Sequence, residues 1–155
     1  LELLVLTISD RAARGDYEDR SGPGVSEVVA AGLPEARIER LVVSDDPGEI
    51  ERALSQNADK DVILTTGGTG IGPRDNTPDV TGAFCDRLIP GIAEHLRRES
   101  CAETLNAVVS RGVAGVSGST LIVNLPGSVR GAVFCARLLV DILPHAVAMI
   151  GGGGH

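Results

Sequence analysis

Short apolar runs and amphipathic stretches alternate along this chain. Leu1–Ile8 (LELLVLTI), Arg37–Val43 (RIERLVV), Val62–Thr66 (VILTT) and Ser119–Val123 (STLIV) are compact runs rich in Leu, Ile, Val and Thr, and each predicts a strand. The spacing between them is helical. One helix is expected from near Pro23 through Val28 and Val29 to Gly32. Another runs from Pro47 to about Asn57, with Ile50, Ala53 and Leu54 on one face. Thr77–Leu88 and Ile92 to about Glu103 predict two more, separated by the break at Pro90-Gly91. Ser128 is placed to cap a final helix reaching about Ile142, which Pro144 bends or restarts. Asn106–Gly118 reads as an irregular, glycine-rich connection. The β-α-β-α-β order of the first half indicates an α/β fold, a largely parallel sheet with helices on both faces. A single domain is expected over residues 1–150, with a flexible Gly-rich tail over 151–155.

Composition narrows the function classes. Hydrophobic residues make up 43% and charged residues 23%, which is ordinary for a globular domain. Aromatic residues are only 2%, so the core must be aliphatic, and aromatic stacking platforms for single-stranded nucleic acid or sugars are disfavoured. The net charge of −7 argues against a nucleic-acid partner or an anionic membrane surface. Cys85, Cys101 and Cys135 are widely spaced with no C-x-x-C, which points to reduced thiols and a cytoplasmic setting. No apolar run reaches membrane-spanning length.

The chemistry gathers after the third strand. Gly67, Gly68, Gly70 and Gly72 interrupt the chain there, with Thr69 among them, and Arg74 and Asp75 follow at once. Such a loop is either a tight strand-to-helix connection or a cradle in which backbone N–H groups approach an anion. It is not a Walker A loop, because the chain's one lysine is Lys60, and its G-x-G-x-G spacing departs from the dinucleotide fingerprint. Arg74 suits a phosphate. A carboxylate beside a phosphate is repulsive unless a cation lies between them, so Asp75 suggests a metal-dependent phosphate site. Thr77-Pro78-Asp79 looks like a helix start with Thr77 as N-cap. Other strand ends carry polar groups: Ser9-Asp10-Arg11 after the first strand, Ser44-Asp45-Asp46 after the second, and Asn124-Leu125-Pro126-Gly127-Ser128 after the last. Asp45 and Asp46 are either a helix-capping pair or a further site carboxylate. Ser110-Arg111 is either a phosphate-contacting pair or part of an irregular connection.

Taken together, these blocks resemble the molybdopterin adenylyltransferase family (the Mog/MoaB type, with the gephyrin G domain). The matching segments are LTISDR at Leu6–Arg11, EDRSG at Glu18–Gly22, LTTGGTGIGPRDNTPD at Leu64–Asp79 and LIVNLPGS at Leu121–Ser128, supported by IPGI at Ile89–Ile92 and SRGVAG at Ser110–Gly115. The resemblance implies a three-layer α/β/α domain of the molybdopterin-binding type, usually a homotrimer. It implies transfer of AMP from ATP to molybdopterin with release of pyrophosphate, aided by a divalent cation such as Mg²⁺, before a molybdate-insertion enzyme takes the product. Asp75 matches the family's catalytic aspartate and would also meet the metal. Asp45 matches the aspartate implicated in pterin binding and turnover. Ser9, Asp10, Arg11, Gly67, Gly68, Thr69, Gly70, Arg74, Ser110, Arg111, Asn124, Pro126, Gly127 and Ser128 are the expected ligand-binding positions. Two departures stand out: Ser44 where Pro is frequent, and Asn76 where Val is common. Two rival readings remain open. One is a molybdopterin-binding relative without adenylation, the other a trimeric scaffold domain.

Overall fold

The structure, a computed structural model, describes residues 1–153; the last two positions of the expected tail, Gly154 and His155, lie outside the described residues. Four strands run parallel: β1 (Glu2–Ile8), β2 (Arg37–Val43), β3 (Val62–Thr66) and β6 (Thr120–Leu125). Two more, β4 (Arg87–Leu88) and β5 (Ala114–Ser117), complete a six-stranded sheet of order β2-β1-β3-β6-β5-β4, with β5 antiparallel to both neighbours. The helices are α1 (Asp10–Ala13), α2 (Ser21–Gly32), α3 (Pro47–Gln56), α4 (Thr77–Phe84), α5 (Pro90–Glu103), α6 (Val129–Leu139) and α7 (Leu143–Ile150), with a 3₁₀ segment at Leu105–Val109. The fold is therefore the expected α/β/α arrangement around a mostly parallel sheet.

Strand side chains alternate between faces, and two separate cores follow from that. Leu3, Val5, Val62, Leu64, Leu121, Val123 and Leu125 pack with Val25 and Val29 of α2, Leu96 of α5, Ala132, Cys135, Ala136 and Leu139 of α6, and Leu143. On the opposite face, Leu4, Leu6, Ile8, Ile63 and Ile122 pack with Ile50, Ala53 and Leu54 of α3, while Val80 and Phe84 of α4 close over them. Because β1, β3 and β6 are covered on both faces, their sequences are continuous apolar runs rather than alternating ones. The edge strand β2 has no buried residue, which suits its polar start; Leu41 and Val42 are exposed there too.

Three expectations need correction. The helix predicted over Thr77–Leu88 ends at Phe84. Asp86 N–H then donates to Val116 O (2.8 Å) and Ile89 N–H to Ala114 O (2.7 Å), drawing Arg87-Leu88 into the sheet as β4. Asn106–Gly118 is not irregular throughout. Its second half is β5, folded back on β6 through a two-residue turn in which Gly118 has φ +56°. Thr77 is the first residue of α4 rather than its cap. Its hydroxyl donates to Gly67 O (2.9 Å) and its N–H to Gly68 O (3.2 Å), so it ties the helix to the glycine loop. No single helix among the described residues is long and apolar enough to cross a membrane, and α6 with α7 reach that length only across a 61° bend.

Candidate active site

β1 pairs with β2 on one side and β3 on the other, and α2 and α3 lie on opposite faces, so the carboxyl ends of β1 and β3 form a topological switch point. Chains leaving those ends diverge and open a crevice. The glycine loop starts there. Gly67 (φ +107°) and Gly68 (φ +65°) occupy the region that favours glycine, and a Cβ on Gly67 would collide with Ile8 O. Gly70 and Gly72 have ordinary φ values; they are small for another reason. A Cβ on Gly70 would lie 2.7 Å from Asp75 Oδ2, and one on Gly72 2.9 Å from it. The loop curls around the Asp75 carboxylate, which also accepts Gly72 N–H at 2.8 Å.

Three strand-end loops are laced together by charge. Asp10 N–H donates to Asp45 Oδ2 (2.8 Å) and Asp45 N–H to Asp10 Oδ1 (3.0 Å), joining the ends of β1 and β2. Arg74 reaches across from the third loop, donating to both Asp10 oxygens at 3.1 and 2.9 Å. That hydrogen bond, with the Asp45 amide behind it, holds the Asp10 carboxyl below its usual range. Asp45 is pushed the other way, chiefly by burial. Asp46 performs the capping, accepting Glu49 N–H at 3.1 Å at the start of α3. Asn76 Nδ2 donates to Asp45 O (3.2 Å), so the residue standing where Val is common buttresses the second strand end.

Arg111 clamps the glycine loop. Its Nε donates to Gly70 O (2.9 Å), its Nη2 to Asp75 O (2.6 Å), and both Nη groups to the Asp79 carboxylate at 3.1 and 2.9 Å. Its own N–H donates to Thr69 O (2.8 Å). The guanidinium holds the Asp79 carboxyl below its ordinary range. Asn124 is similarly committed: its amide donates to Thr65 Oγ1 and Thr81 Oγ1, each at 3.0 Å, and accepts Val113 N–H at 3.2 Å.

Two cavities flank this assembly. A polar one of about 660 Å³ lies at the switch point, lined by Ser9, Asp10, Arg11, Asp19 and Asp45 among others. A more apolar one of about 390 Å³ lies between the loop, β6, α5 and α6, lined by Leu96, Arg97, Ser100, Val109, Asn124 and Cys135 among others. Gly68, Asp75, Gly127 and Ser128 line both. Of the residues singled out from sequence, Ser9, Asp10, Arg11, Asp45 and Gly67 border the polar cavity, and Thr69, Gly70, Ser110, Asn124 and Pro126 border the apolar one. Arg74 and Arg111 border neither; both sit behind the carboxylates they grip.

Several lining residues escaped the sequence reading. Asp19 accepts Thr7 Oγ1–H (2.8 Å), Ser21 Oγ–H (3.2 Å) and Gly22 N–H (3.0 Å), fixing the far wall of the polar cavity beside the start of α2. Its place in EDRSG was the available signal. Arg97, Ser100 and Cys135 belong to helix interiors, where nothing in the local pattern distinguishes a cavity wall from a core contact. Tyr17, over whose ring the Arg11 guanidinium lies at 5.0 Å, completes the polar mouth.

The family model described as a probable molybdopterin binding domain matches residues 4–145. The chain is 36% identical over 152 residues to the molybdopterin adenylyltransferase of Helicobacter pylori J99, covering 96% of this chain and 86% of that protein. It is 37% identical over 150 residues to the Drosophila melanogaster molybdenum cofactor synthesis protein cinnamon, but 95% of this chain spans only 25% of that protein's length. The structure of the molybdopterin biosynthesis enzyme MoaB from Thermus thermophilus superposes with a TM-score of 0.87 at 43% identity, covering 97% of this chain and 96% of that one.

Proposed function

The chain belongs to the probable molybdopterin binding domain family, and from that membership we propose that it is a molybdopterin adenylyltransferase of molybdenum cofactor biosynthesis. The reaction transfers AMP from ATP to molybdopterin and releases pyrophosphate, before molybdate insertion. The observation that carries this reading is the pair of cavities meeting at Gly68, Asp75, Gly127 and Ser128. A transfer between two bulky substrates needs two compartments with one shared wall at which the reacting groups meet.

A terminal phosphate monoester is ionised at neutral pH and is already a nucleophile, so attack on the α-phosphorus needs no strong general base. Positioning and charge neutralisation are what this chain must supply. The amides of Gly68, Thr69 and Gly70, which meet no acceptor among the described residues, contribute positive potential at the shared wall, whereas Gly67 N–H is held by Leu125 O. Asp75 Oδ1 and Asp45 Oδ1 accept no hydrogen bond among the described residues, and both carboxylates border the glycine loop. Those carboxylates would hold a Mg²⁺ ion; the described residues form no cluster of three ligating side chains by themselves. When bound, the ion neutralises charge on the phosphates. As part of the same reading, the protein forms a homotrimer in the cytoplasm, checked by sedimentation, and hands its product to a molybdate-inserting enzyme.

The test is pyrophosphate release from ATP and Mg²⁺ on addition of molybdopterin. Its absence, with molybdopterin still bound, favours a pterin-binding relative without adenylation. The 43% identity to the Thermus MoaB enzyme gives that second reading its weight.

A further inference from the structure

We propose that Arg97 binds a phosphate group of the ligand that occupies the apolar cavity. The inference rests on the reading above only in that both reactants carry phosphate. Arg97 lies mid-way along α5 and lines that cavity, half-buried. Its Nη1 donates to Ala93 O (3.3 Å), and Nη1 and Nη2 both point at Gly112 O (3.4 Å each). These are carbonyls without net charge, at long distances.

The arginines around the glycine loop divide into two sets. Arg74 and Arg111 are each spent on a bidentate carboxylate, Asp10 and Asp79. Among the described residues, Arg97 forms no ion pair with any Asp or Glu, and neither does Arg11. One such arginine lines each cavity: Arg11 the polar one, Arg97 the apolar one. The two settings differ. Arg11 is rimmed by Asp10, Asp19 and Asp45, whereas Arg97 looks across Ala93, Leu96, Ala107, Val109 and Cys135, where Asp75 at the shared wall is the one carboxylate.

A half-buried guanidinium on the wall of a mostly apolar cavity, paired with no carboxylate, is a site that an anion would complete. A guanidinium has five N–H donors in a planar fork that matches two phosphate oxygens, and Arg97 makes only weak use of its Nη groups. The carbonyl of Gly112 fixes the plane of that fork without neutralising it. A neutral heterocycle alone would fill the cavity and leave the charge uncompensated. A phosphate satisfies both.

The experiment uses the full chain carrying Arg97→Gln or Arg97→Lys. Titration calorimetry is run with ATP and Mg²⁺, adenosine, molybdopterin and pyrophosphate, beside a melting curve. Arg97→Gln should weaken ATP or molybdopterin by roughly tenfold or more, while adenosine binding and the melting midpoint stay unchanged. Loss confined to ATP puts the nucleotide in the apolar cavity; loss confined to molybdopterin puts the pterin phosphate there. Arg97→Lys, which keeps the charge but not the fork, should fall between wild type and Arg97→Gln. It carries the test alone if the glutamine variant fails to fold. Unchanged affinity for both phosphate ligands, or an equal loss for adenosine, overturns the proposal. A wild-type protein that binds both reactants yet releases no pyrophosphate refutes adenylyl transfer and leaves the Arg97 result standing. One that binds neither reactant nor pyrophosphate overturns both.

Discussion

The two cavities are built by different physics. The polar cavity is lined by residues that follow directly from strand ends: Ser9, Asp10 and Arg11 after β1, Asp45 after β2, Gly67 and Gly68 after β3. Parallel topology alone brings those ends to one edge, and carboxylates there remain hydrated or paired. The apolar cavity is a gap between packed helices, walled by Leu96 and Ser100 of α5, Gly131 and Cys135 of α6, and the 3₁₀ segment. Its shape depends on how α5 and α6 lie against the sheet. One cavity is set by topology, the other by packing, and Asp75 stands where they meet.

The largest effect is expected at that shared wall. Asp75→Asn should lower adenylyl transfer by about a hundredfold or more, in keeping with the several kcal/mol supplied by metal-assisted charge neutralisation. The melting curve should stay in place. Near-wild-type pyrophosphate release at saturating Mg²⁺ would remove Asp75 from the chemistry and leave the two cavities as unrelated hollows.

The glycine loop separates local strain from site geometry. At Gly68 an added Cβ faces φ +65° and collides with Thr77 Oγ1, so Gly68→Ala should cost about 1–2 kcal/mol of backbone strain in addition to disturbing the start of α4. At Gly70 φ is ordinary, and the Cβ meets the Asp75 carboxylate instead. Gly70→Ala should therefore melt close to wild type, with severely weakened ATP binding and little turnover. Equal drops in melting temperature for both variants would show that the loop is one structural turn.

Within the polar cavity, two adjacent carboxylates should part company. Asp45→Ala is expected to impair molybdopterin binding with little loss of stability. Asp46→Ala should leave binding intact and cost about 1 kcal/mol, the usual worth of an N-cap. A reversed ranking in calorimetry and thermal melts would exchange their roles.

The smallest effect is a pH dependence. Burial raises the folded pKa of Asp45, so its ionised form is disfavoured in the fold, and its contribution to stability falls as pH rises through that value. Asp45→Asn should be at least as stable as wild type at neutral pH, with its advantage shrinking on acidification through the raised pKa. Asp10 and Asp79 act in the opposite sense. Their pKa values are lowered by Arg74 and Arg111, so the stability from those pairs is present above the ordinary carboxylate range and disappears as pH falls through the lowered values. Melting curves from neutral to acid pH for wild type and Asp45→Asn test the sign. A growing advantage on acidification would contradict it.

Much of this molecule was legible from the chain. Continuous apolar runs such as LLVL in β1 and VIL in β3 marked strands; Asp46 and Ser128 sit at helix starts where their side chains accept backbone N–H groups, and Pro47 opens α3 with its fixed φ. The glycine loop, Asp75 and Asp45 were visible because a strand end, a turn and a charged residue are neighbours in sequence as well as in space. The rest required the tertiary structure. Arg87-Leu88 became a strand through partners some thirty residues away in β5. Arg74 and Arg111, which read alike as phosphate contacts, pair with Asp10 and Asp79, one of them 64 positions from its partner. Arg97 stands between Leu96 and Arg98 in a charged stretch of α5, and only the fold places it on the wall of the apolar cavity with its guanidinium at Gly112 O. Local pattern determines which residues form an element and where it begins. Which charges compensate one another is decided by distances that exist only after the chain has folded.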